Sequence, residues 1–291
     1  MPAYYGETAN SCRLEECLLK ASDMIGWKEK GMRTVMPDGK IRARGVAMAM
    51  QGSSISNCDV GSVTVKLSDE GTYHITVGCT DMGTGCDTII AQFAADVLET
   101  PIDNISVYGV DTDISPYDSG SYASSTTYLT GMAAVKACEQ LRERIIALAA
   151  VRMNKDASAL TFDGENVIDE SDGAKMSLFD IATASMCNNE ISLEVTYSHS
   201  SPVSPPPFMA ACAEIEADPE TGAIELLDYT ACVDCGTVVN TNLARVQTEG
   251  GLLQGIGMTL YEDIWYDERG KNLSNSFMQY KVPSRLDTDR I

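Results

Sequence analysis

Four prolines within seven residues constrain this chain more strongly than any other feature of its sequence. They lie in the segment Ser201-Pro-Val-Ser-Pro-Pro-Pro207. Proline fixes φ, lacks an amide hydrogen and pushes the residue before it towards extended backbone. The segment is therefore not helical, and we predict that it links a first lobe, residues 1–200, to a second lobe, residues 208–291.

Hydrophobic periodicity predicts the elements of the first lobe. Apolar residues recur at helical spacing in some segments and alternate with polar residues in others, where strands are expected. The predicted elements are a helix over 11–30 with Ser11 as its N-cap, a strand over 44–50, a hairpin of strands 62–67 and 72–77, a helix over 87–98, a strand over 104–109, a helix over 127–153, a strand pair within 160–169 and a helix over 177–186.

The second lobe is predicted to contain strands over 208–217 and 223–233, a helix over 243–261 and a short strand pair around 267–270. Along the whole chain, strands and helices mix without strict alternation. This favours an α+β fold class, with mixed β-sheets packed with helices in two lobes, over a doubly wound parallel sheet.

Composition argues against several classes of partner. The chain has 42 acidic and 21 basic residues, a net charge of −21, so we expect neither nucleic acid nor anionic lipid to bind it. No apolar run approaches the roughly 20 residues of a membrane-spanning helix. Ten cysteines lie mostly in apolar runs, which favours reduced, buried thiols, Cys138 and Cys212 among them, and a cytoplasmic location.

The turn Thr80-Asp-Met-Gly-Thr-Gly85 follows a predicted strand and precedes a predicted helix. Glycines allow backbone amides to approach an anion, and a helix N-terminus adds partial positive charge. The pattern matches neither a P-loop nor a dinucleotide-binding fingerprint. The residues alone leave two interpretations open: an anion site, or a strand-to-helix turn that binds no ligand.

A cluster of hydroxyl groups stands at the start of the long helix predicted from Thr127. It consists of Ser121, Ser124, Ser125, Thr126 and Thr127. A helix cap uses one or two such groups. The surplus indicates a ligand with many hydrogen-bond acceptors, such as phosphates and a sugar, and the alternative is a serine-rich capping loop.

The helical segment 249–257 contains four glycines around Gln254. Each glycine costs about 1 kcal/mol relative to alanine inside a helix, so their presence indicates close approach of another backbone or of a ligand. Glutamine can both donate and accept hydrogen bonds. Tight helix packing around a core glutamine is the alternative.

Metal, redox and nucleophilic sites have weak support. Cys232 and Cys235 form a single CxxC, and the two ligands that a zinc site would still need are not near, because His74 and His199 lie far away in sequence. As strand residues three apart, the two cysteines would face opposite sides. No nucleophile elbow is present. We therefore predict no metal ligand and no catalytic residue in this chain.

Seven segments in order resemble the large, molybdenum-binding subunit of the xanthine dehydrogenase and aldehyde oxidase family, in its second molybdopterin-binding domain. Seven ordered matches are far more specific than any one, and they favour ligand binding at all three glycine-rich segments. The segments are Glu15-Glu-Cys-Leu-Leu with Gly26-Trp-Lys28, Arg44-Gly-Val-Ala47 (family rGvG), Thr80–Gly85 (TEMGQG), Gly120-Ser-Tyr-Ala-Ser-Ser125 (GxxASR), Asp234-Cys-Gly-Thr-Val-Val-Asn240 with Thr241 (DxGxxxNP), Glu249–Gly257 (EGGxxQGxG) and Asn275-Ser-Phe-Met-Gln-Tyr-Lys-Val-Pro283 (NxxxxYKxP).

The resemblance implies an oxidoreductase that binds molybdopterin with molybdenum, usually as the cytosine dinucleotide in bacteria, between two halves of the large subunit. Such enzymes hydroxylate an aldehyde or an N-heterocycle with oxygen from water. FAD and 2Fe-2S clusters on partner subunits take the electrons. The cofactor contacts that the resemblance implies are Met82, Gly83, Thr84, Gly85, Ser121, Tyr122, Ala123, Ser124, Ser125, Thr126, Thr127 and Gln254.

Two residues depart from the family pattern. Thr84 stands where the family usually has glutamine, and Ser125 where it usually has arginine, a bidentate phosphate ligand. The catalytic-glutamate segment and the preceding half of the family's large subunit are not in this sequence. We therefore expect either a shortened chain or a split subunit, inactive alone. The alternative is a non-catalytic assembly or scaffold subunit that keeps the fold without the cofactor, and the sequence does not identify a substrate.

Overall fold

The computed structural model describes residues 10–188 and 192–287. Its contacts divide the chain into two compact units. One unit combines the chain up to Gln51 with the chain from Pro206 onwards, and the other comprises Gly52–Pro205.

Helices and strands alternate irregularly along the described chain. In order they are α1 (Leu14–Met24), α2 (Trp27–Lys30), β1 (Arg33–Val35), β2 (Ile41–Met50), β3 (Gly61–Leu67), β4 (Tyr73–Val77), α3 (Cys86–Leu98), β5 (Ile105–Gly109), α4 (Thr126–Met153), β6 (Leu160–Phe162), β7 (Asn166–Asp169), β8 (Lys175–Ser177), α5 (Leu178–Asn188), β9 (Glu194–His199), β10 (Phe208–Ala217), β11 (Ile224–Asp234) and α6 (Thr241–Leu260).

The unit formed by the two ends of the chain is built on an antiparallel sheet of order β1-β2-β10-β11. β2 pairs with β10 over ten residues, from Ile41 opposite Ala217 to Met50 opposite Phe208. Helix α1 packs on β10 and β11, where Ala21 is fully buried. The Thr230 hydroxyl of β11 donates a hydrogen bond of 2.9 Å to the Ala21 carbonyl and so attaches helix to sheet.

The pairing of β2 with β10 divides the chain differently from the two lobes predicted from the sequence, residues 1–200 and 208–291. The proline segment does lie at a boundary, since the units meet at Pro205 and Pro206. The first 51 residues, however, belong with the chain after Pro206, because the backbone of β2 is hydrogen-bonded to β10 along its whole length.

The unit 52–205 is built on a sheet of order β5-β4-β3-β9, covered by α3 and α4. β4 and β5 are parallel and are joined through α3, whereas β3 is antiparallel to both β4 and β9. Alternate residues of β3 and the inner face of α4 form its core, in which Val63, Val65, Leu141 and Ile145 are fully buried. A small three-stranded sheet, β6-β7-β8, follows α4.

Most of the predicted elements are confirmed, including the β3–β4 hairpin, the helices α3 to α6 and the burial of Cys138 and Cys212. The α+β class is confirmed as well. The N-cap prediction is wrong, because α1 begins at Leu14 with Arg13, and not Ser11, at the N-cap. The helix predicted over 11–30 is interrupted at Gly26, whose φ of +71° ends α1.

Three strands, β1, β8 and β9, were not predicted. The strand pair expected around 267–270 is reduced to a single antiparallel bridge between Tyr266 and Asn272. Among the described residues, no helix is both long enough and apolar enough to cross a bilayer.

Candidate functional site

The turn between β4 and α3 is shaped by its own aspartate. Asp81 Oδ1 accepts hydrogen bonds from the Gly83 amide (2.9 Å) and the Gly85 amide (3.0 Å). Burial raises the pKa of Asp81, but these backbone hydrogen bonds outweigh it and the pKa lies below the usual range. Gly83 and Gly85 have φ of +102° and +75°, which side chains disfavour. Amides expected to face an anionic ligand thus bind an internal carboxylate.

The two side chains of this turn that were predicted to contact a cofactor differ in orientation. Met82 is 66% exposed. The Thr84 side chain is instead half-buried, and its hydroxyl lies beside the thiol of Cys86, the first residue of α3. The residue that departs from the family pattern therefore has a partner inside its own turn.

The loop before α4 holds two consecutive residues in a strained conformation. Ala123 and Ser124 have φ of +53° and +57°, in the left-handed region that residues with a Cβ rarely adopt. The Ser54 amide donates a 2.8 Å hydrogen bond to the Ala123 carbonyl and supports this conformation. Ser54 is itself left-handed, with φ of +92°. Such strain persists only where surrounding structure enforces it, and it concentrates at functional sites.

Ser125 is the one hydroxyl of the predicted cluster that is buried, at 3% exposure. It donates to the Tyr122 carbonyl at 3.0 Å, and it occupies the N-cap of α4 without capping the helix through its side chain. Hence Ser125 stabilises the loop. The amides of the first turn of α4, including Thr126 and Thr127, have no carbonyl partner within their own helix and form a donor set at its positive end.

A direct contact joins the turn to the loop. The Ser121 hydroxyl donates to the Thr80 carbonyl at 3.4 Å. The nearby carboxylate of Asp59 raises the pKa of the neighbouring Tyr122 phenol. Two of the three segments singled out from the sequence are therefore adjacent within the unit 52–205.

The third segment, with Gln254, lies on α6 in the other unit. Gln254 is exposed. Within the described ranges no atom lies within 4 Å of the Cβ position of Gly250, Gly251 or Gly255, so these glycines leave an open surface beside it. Only at Gly257 is that space filled, by Pro283 and the Glu262 side chain. Packing among the residues that the structure describes therefore does not explain three of the four glycines.

The cysteines pair in ways that the sequence did not indicate. Burial, together with the neighbouring Cys232 of the CxxC, raises the pKa of the Cys17 thiol of α1 to about 11. Cys235 lies beyond the end of β11 and is exposed. In the other unit, Cys79 and Cys86 lie near each other at the two ends of the turn, and Cys86 is the main cause that raises the pKa of Cys79. The Cys86 thiol donates to Asp87 Oδ1 at 3.7 Å. Sequence reasoning missed this pair, although both residues directly flank the turn 80–85.

One set of potential metal ligands occurs in the described residues. Single ligand atoms of Asp81, Cys86 and Asp87 all lie within 4.8 Å of one another. The Asp81 carboxylate of this set already accepts the two glycine amides. The Asp81 carboxylate therefore braces the turn.

Residues 20–288 match the family model described as "Molybdopterin cofactor-binding domain". The chain is 36% identical over 284 residues to "Probable hypoxanthine oxidase XdhD" of Escherichia coli strain K12, which covers 97% of this chain and 29% of that protein. It is 30% identical over 272 residues to the "6-hydroxypseudooxynicotine dehydrogenase complex subunit gamma" of Paenarthrobacter nicotinovorans, covering 91% of this chain and 34% of that subunit.

A solved structure of reconstituted CO dehydrogenase from Oligotropha carboxidovorans superposes with a TM-score of 0.83 at 25% identity, covering 99% of this chain and 38% of that chain. The chain thus spans about a third of the length of the relatives it matches.

Proposed function

The chain belongs to the molybdopterin cofactor-binding domain family, and on that premise we propose that it holds one side of the molybdenum cofactor in a hydroxylase of the xanthine dehydrogenase type. The observation that carries the proposal is the contact between the turn 80–85 and the loop 120–125. These are two of the segments that the family resemblance assigns to the cofactor. We propose as cofactor-binding residues the twelve that were named from the sequence, which lie in the turn 80–85, in the segment 121–127 and at Gln254.

The residues present fit a phosphate-bearing pterin. The start of α4 combines the hydroxyls of Thr126 and Thr127 with the backbone amides of its first turn, and phosphate oxygens accept hydrogen bonds from both kinds of donor. Gly83 has no atom of the described chain within 4 Å of its Cβ position, so a flat ring can approach its backbone. The exposed glycine surface beside Gln254 offers the same kind of close approach. The left-handed backbone at Ala123 and Ser124 fixes the loop in place before a ligand arrives.

The cofactor, when bound, supplies redox chemistry at molybdenum that inserts oxygen from water into an aldehyde or an N-heterocycle. The residues of this chain orient the pterin and its phosphates and keep that geometry rigid. Ser121 holds the loop against the turn, and Ser125 fixes the start of α4. We further propose that the cofactor is the cytosine dinucleotide form of molybdopterin. A partner chain would supply the other half of the molybdenum subunit, and further subunits would carry FAD and the 2Fe-2S clusters. The assembly would lie in the cytoplasm. The chain alone is then inactive.

Co-expression with a polypeptide equivalent to the remaining two thirds of a relative tests the proposal. The purified assembly is measured for molybdenum by elemental analysis and for released pterin by fluorescence. Folded assemblies that contain neither would refute it.

A matched pair of glycine variants locates the site. Gly83→Ala and Gly173→Ala both add a Cβ at positive φ in open space of the same unit, so their backbone cost is similar. Only Gly83 lies on the proposed cofactor surface. We expect Gly83→Ala to lower molybdenum and pterin occupancy about tenfold, which corresponds to about 1.4 kcal/mol. Gly173→Ala should retain both. Equal occupancy in the two variants contradicts the placement of the cofactor.

The alternative function, a scaffold subunit without cofactor, has its own supporting observation. Both residues that depart from the family pattern face groups of their own segment: the Thr84 hydroxyl lies beside the Cys86 thiol, and the Ser125 hydroxyl donates to the Tyr122 carbonyl. Thr84→Gln restores the family residue at a half-buried position. If the wild-type assembly lacks molybdenum and Thr84→Gln gains it, the scaffold function is favoured for the natural chain.

A further inference from the structure

Two segments that meet before α4 hold most of the left-handed backbone in the described chain. Six described residues other than glycine have positive φ, and four of them are Ser54, Asn57, Ala123 and Ser124. Residues with a Cβ adopt this conformation only where the surrounding structure enforces it. The contacts of these residues therefore identify what holds the loop 120–125 in place.

The peptide group between Ser54 and Ile55 is held on both sides by buried side chains. Its carbonyl accepts a hydrogen bond of 2.7 Å from the hydroxyl of Ser204, which is fully buried. Its amide donates at 2.8 Å to the buried carboxylate of Asp59. Ser54 then donates its own amide to the Ala123 carbonyl at 2.8 Å. A path of hydrogen bonds thus leads from Ser204, through the backbone of Ser54, to the loop.

The side chain of Ser54 takes no part in this path. Its hydroxyl is buried and has no hydrogen-bond partner among the described residues. Its φ of +92° is also unfavourable for serine. Position 54 therefore contributes its backbone amide and carbonyl, and the conformation that aims them is fixed by its neighbours.

A second contact from the proline segment reaches the first turn of α4. The Ser201 hydroxyl and the Tyr128 phenol form a hydrogen bond of 3.0 Å. The Ser201 carbonyl also accepts a hydrogen bond from the Asn57 amide at 2.9 Å. Ser201 and Ser204 each directly precede a proline. Because proline restricts the backbone of the residue before it, both serines have a stiff support.

We propose that Ser201 and Ser204 are positioning residues that fix the loop 120–125 and the first turn of α4 in the conformation that receives the cofactor. Their two paths end on either side of the α4 N-terminus, at Ala123 and at Tyr128. The serines act through these residues and do not touch the ligand, so their burial suits the role. The link to the cofactor rests on the proposed function, whereas the positioning of the loop does not.

Hydrogen exchange of the purified full chain tests the positioning. Ser204→Ala removes the hydroxyl that donates to Ser54. Its matched control is Ser62→Ala, because Ser62 of β3 is also buried and its hydroxyl forms a 2.7 Å hydrogen bond with Ser198. Both variants lose one buried hydrogen bond, so their stability in urea should fall by similar amounts. Only Ser204→Ala should speed exchange in the peptides covering 52–56 and 120–128, by about fivefold, the factor for one net hydrogen bond.

Two more variants test the paths one at a time. Tyr128→Phe keeps the ring, removes the hydroxyl that contacts Ser201, and should speed exchange in the first turn of α4 severalfold. Ser54→Ala keeps both backbone hydrogen bonds and removes only the unpartnered hydroxyl, so exchange of the loop should stay at the wild-type rate. Faster exchange in Ser54→Ala than in Ser204→Ala would contradict a path through the backbone.

The co-expressed assembly connects the positioning with the cofactor. We expect Ser204→Ala to contain about fivefold less molybdenum and pterin per chain than Ser62→Ala, at equal stability in urea. A purely structural role would affect the two variants alike. Equal loop exchange in the two variants overturns the positioning, and equal cofactor content overturns its link to the cofactor. A wild-type assembly without molybdenum refutes the proposed function instead, and the exchange rates still decide whether the serines position the loop.

Discussion

The strongest test of the fold concerns the buried ion pair between β2 and β10. Arg44 and Glu214 face each other across the two strands, and their side chains are 4% and 5% exposed. The Arg44 guanidinium also donates to the carbonyls of Lys30 and Gly31, at 2.9 and 2.7 Å, and so ties α2 to the sheet. Arg44→Met keeps the volume of the side chain but removes its charge and these hydrogen bonds.

The loss of stability expected for Arg44→Met depends on which partners Glu214 keeps. Removing one partner of a buried pair leaves an uncompensated charge and costs about 3–5 kcal/mol. Lys30 still contacts Glu214 at 2.7 Å, although its side chain is 43% exposed. That residual partner places the loss at the lower end, about 3 kcal/mol, or roughly 10 °C in Tm. Lys136→Met, which breaks an exposed pair with Glu139 on α4, should change stability by less than about 0.5 kcal/mol.

Urea unfolding, monitored by hydrogen exchange of the β2 and β10 peptides, measures this loss of stability in the unit formed by the two ends of the chain. The double variant Arg44→Met with Glu214→Leu removes the stranded charge and should recover most of the stability. Equal stability of Arg44→Met and Lys136→Met would refute the argument. So would a double variant no more stable than Arg44→Met, since the loss would then come from the missing hydrogen bonds.

Two further predictions follow. Gly61→Ala should destabilise the unit 52–205 by about 1–3 kcal/mol or more, because the added Cβ would lie 2.6 Å from the backbone nitrogen of Thr130. In Gly131→Ala the added Cβ meets the Phe93 ring instead, so this control variant should lose less stability. Urea titration of both variants measures the difference. Burial raises the pKa of Glu214, but Lys30 and Arg44 outweigh it and hold the pKa below the usual range. Its stabilisation is therefore complete above about pH 4.3 and is lost as pH falls through the folded pKa, so the stability gap between the wild type and Arg44→Met should narrow in acid.

Local pattern was sufficient for elements whose partners are near in sequence. The β3–β4 hairpin and α3 were predicted because alternation, turn residues and helical spacing all lie within a few tens of residues. β9 was not predicted, although it alternates, because only its pairing with β3 identifies it as the fourth strand of the sheet. The association of β2 with β10 is equally invisible, since strand pairing at long range leaves no mark in either segment.

In the candidate site, too, the sequence did not predict which side chains contact one another. The glycines and hydroxyls of the two segments indicated a ligand site, and the structure brings those segments together through Ser121. The sequence could not tell which hydroxyls are used internally. Ser125 is buried and the Thr84 hydroxyl lies beside the Cys86 thiol, and both facts depend on how the loop and the turn fold back on themselves. The proximity of Cys79 and Cys86 could have been predicted from two cysteines at the ends of one turn.

The pairing of β2 with β10 also determines when each part of the chain can fold during synthesis. Arg44 and Glu214 are separated by 170 residues, so β2 leaves the ribosome long before its partner exists. The unit 52–205 is an insertion between them, with its ends held close by the hydrogen bond from the Ser53 amide to the Pro205 carbonyl. It can fold first, as domains do during translation, and its closed ends then bring the two outer strands together. Folding it early lowers the loop-closure entropy that the outer sheet must overcome.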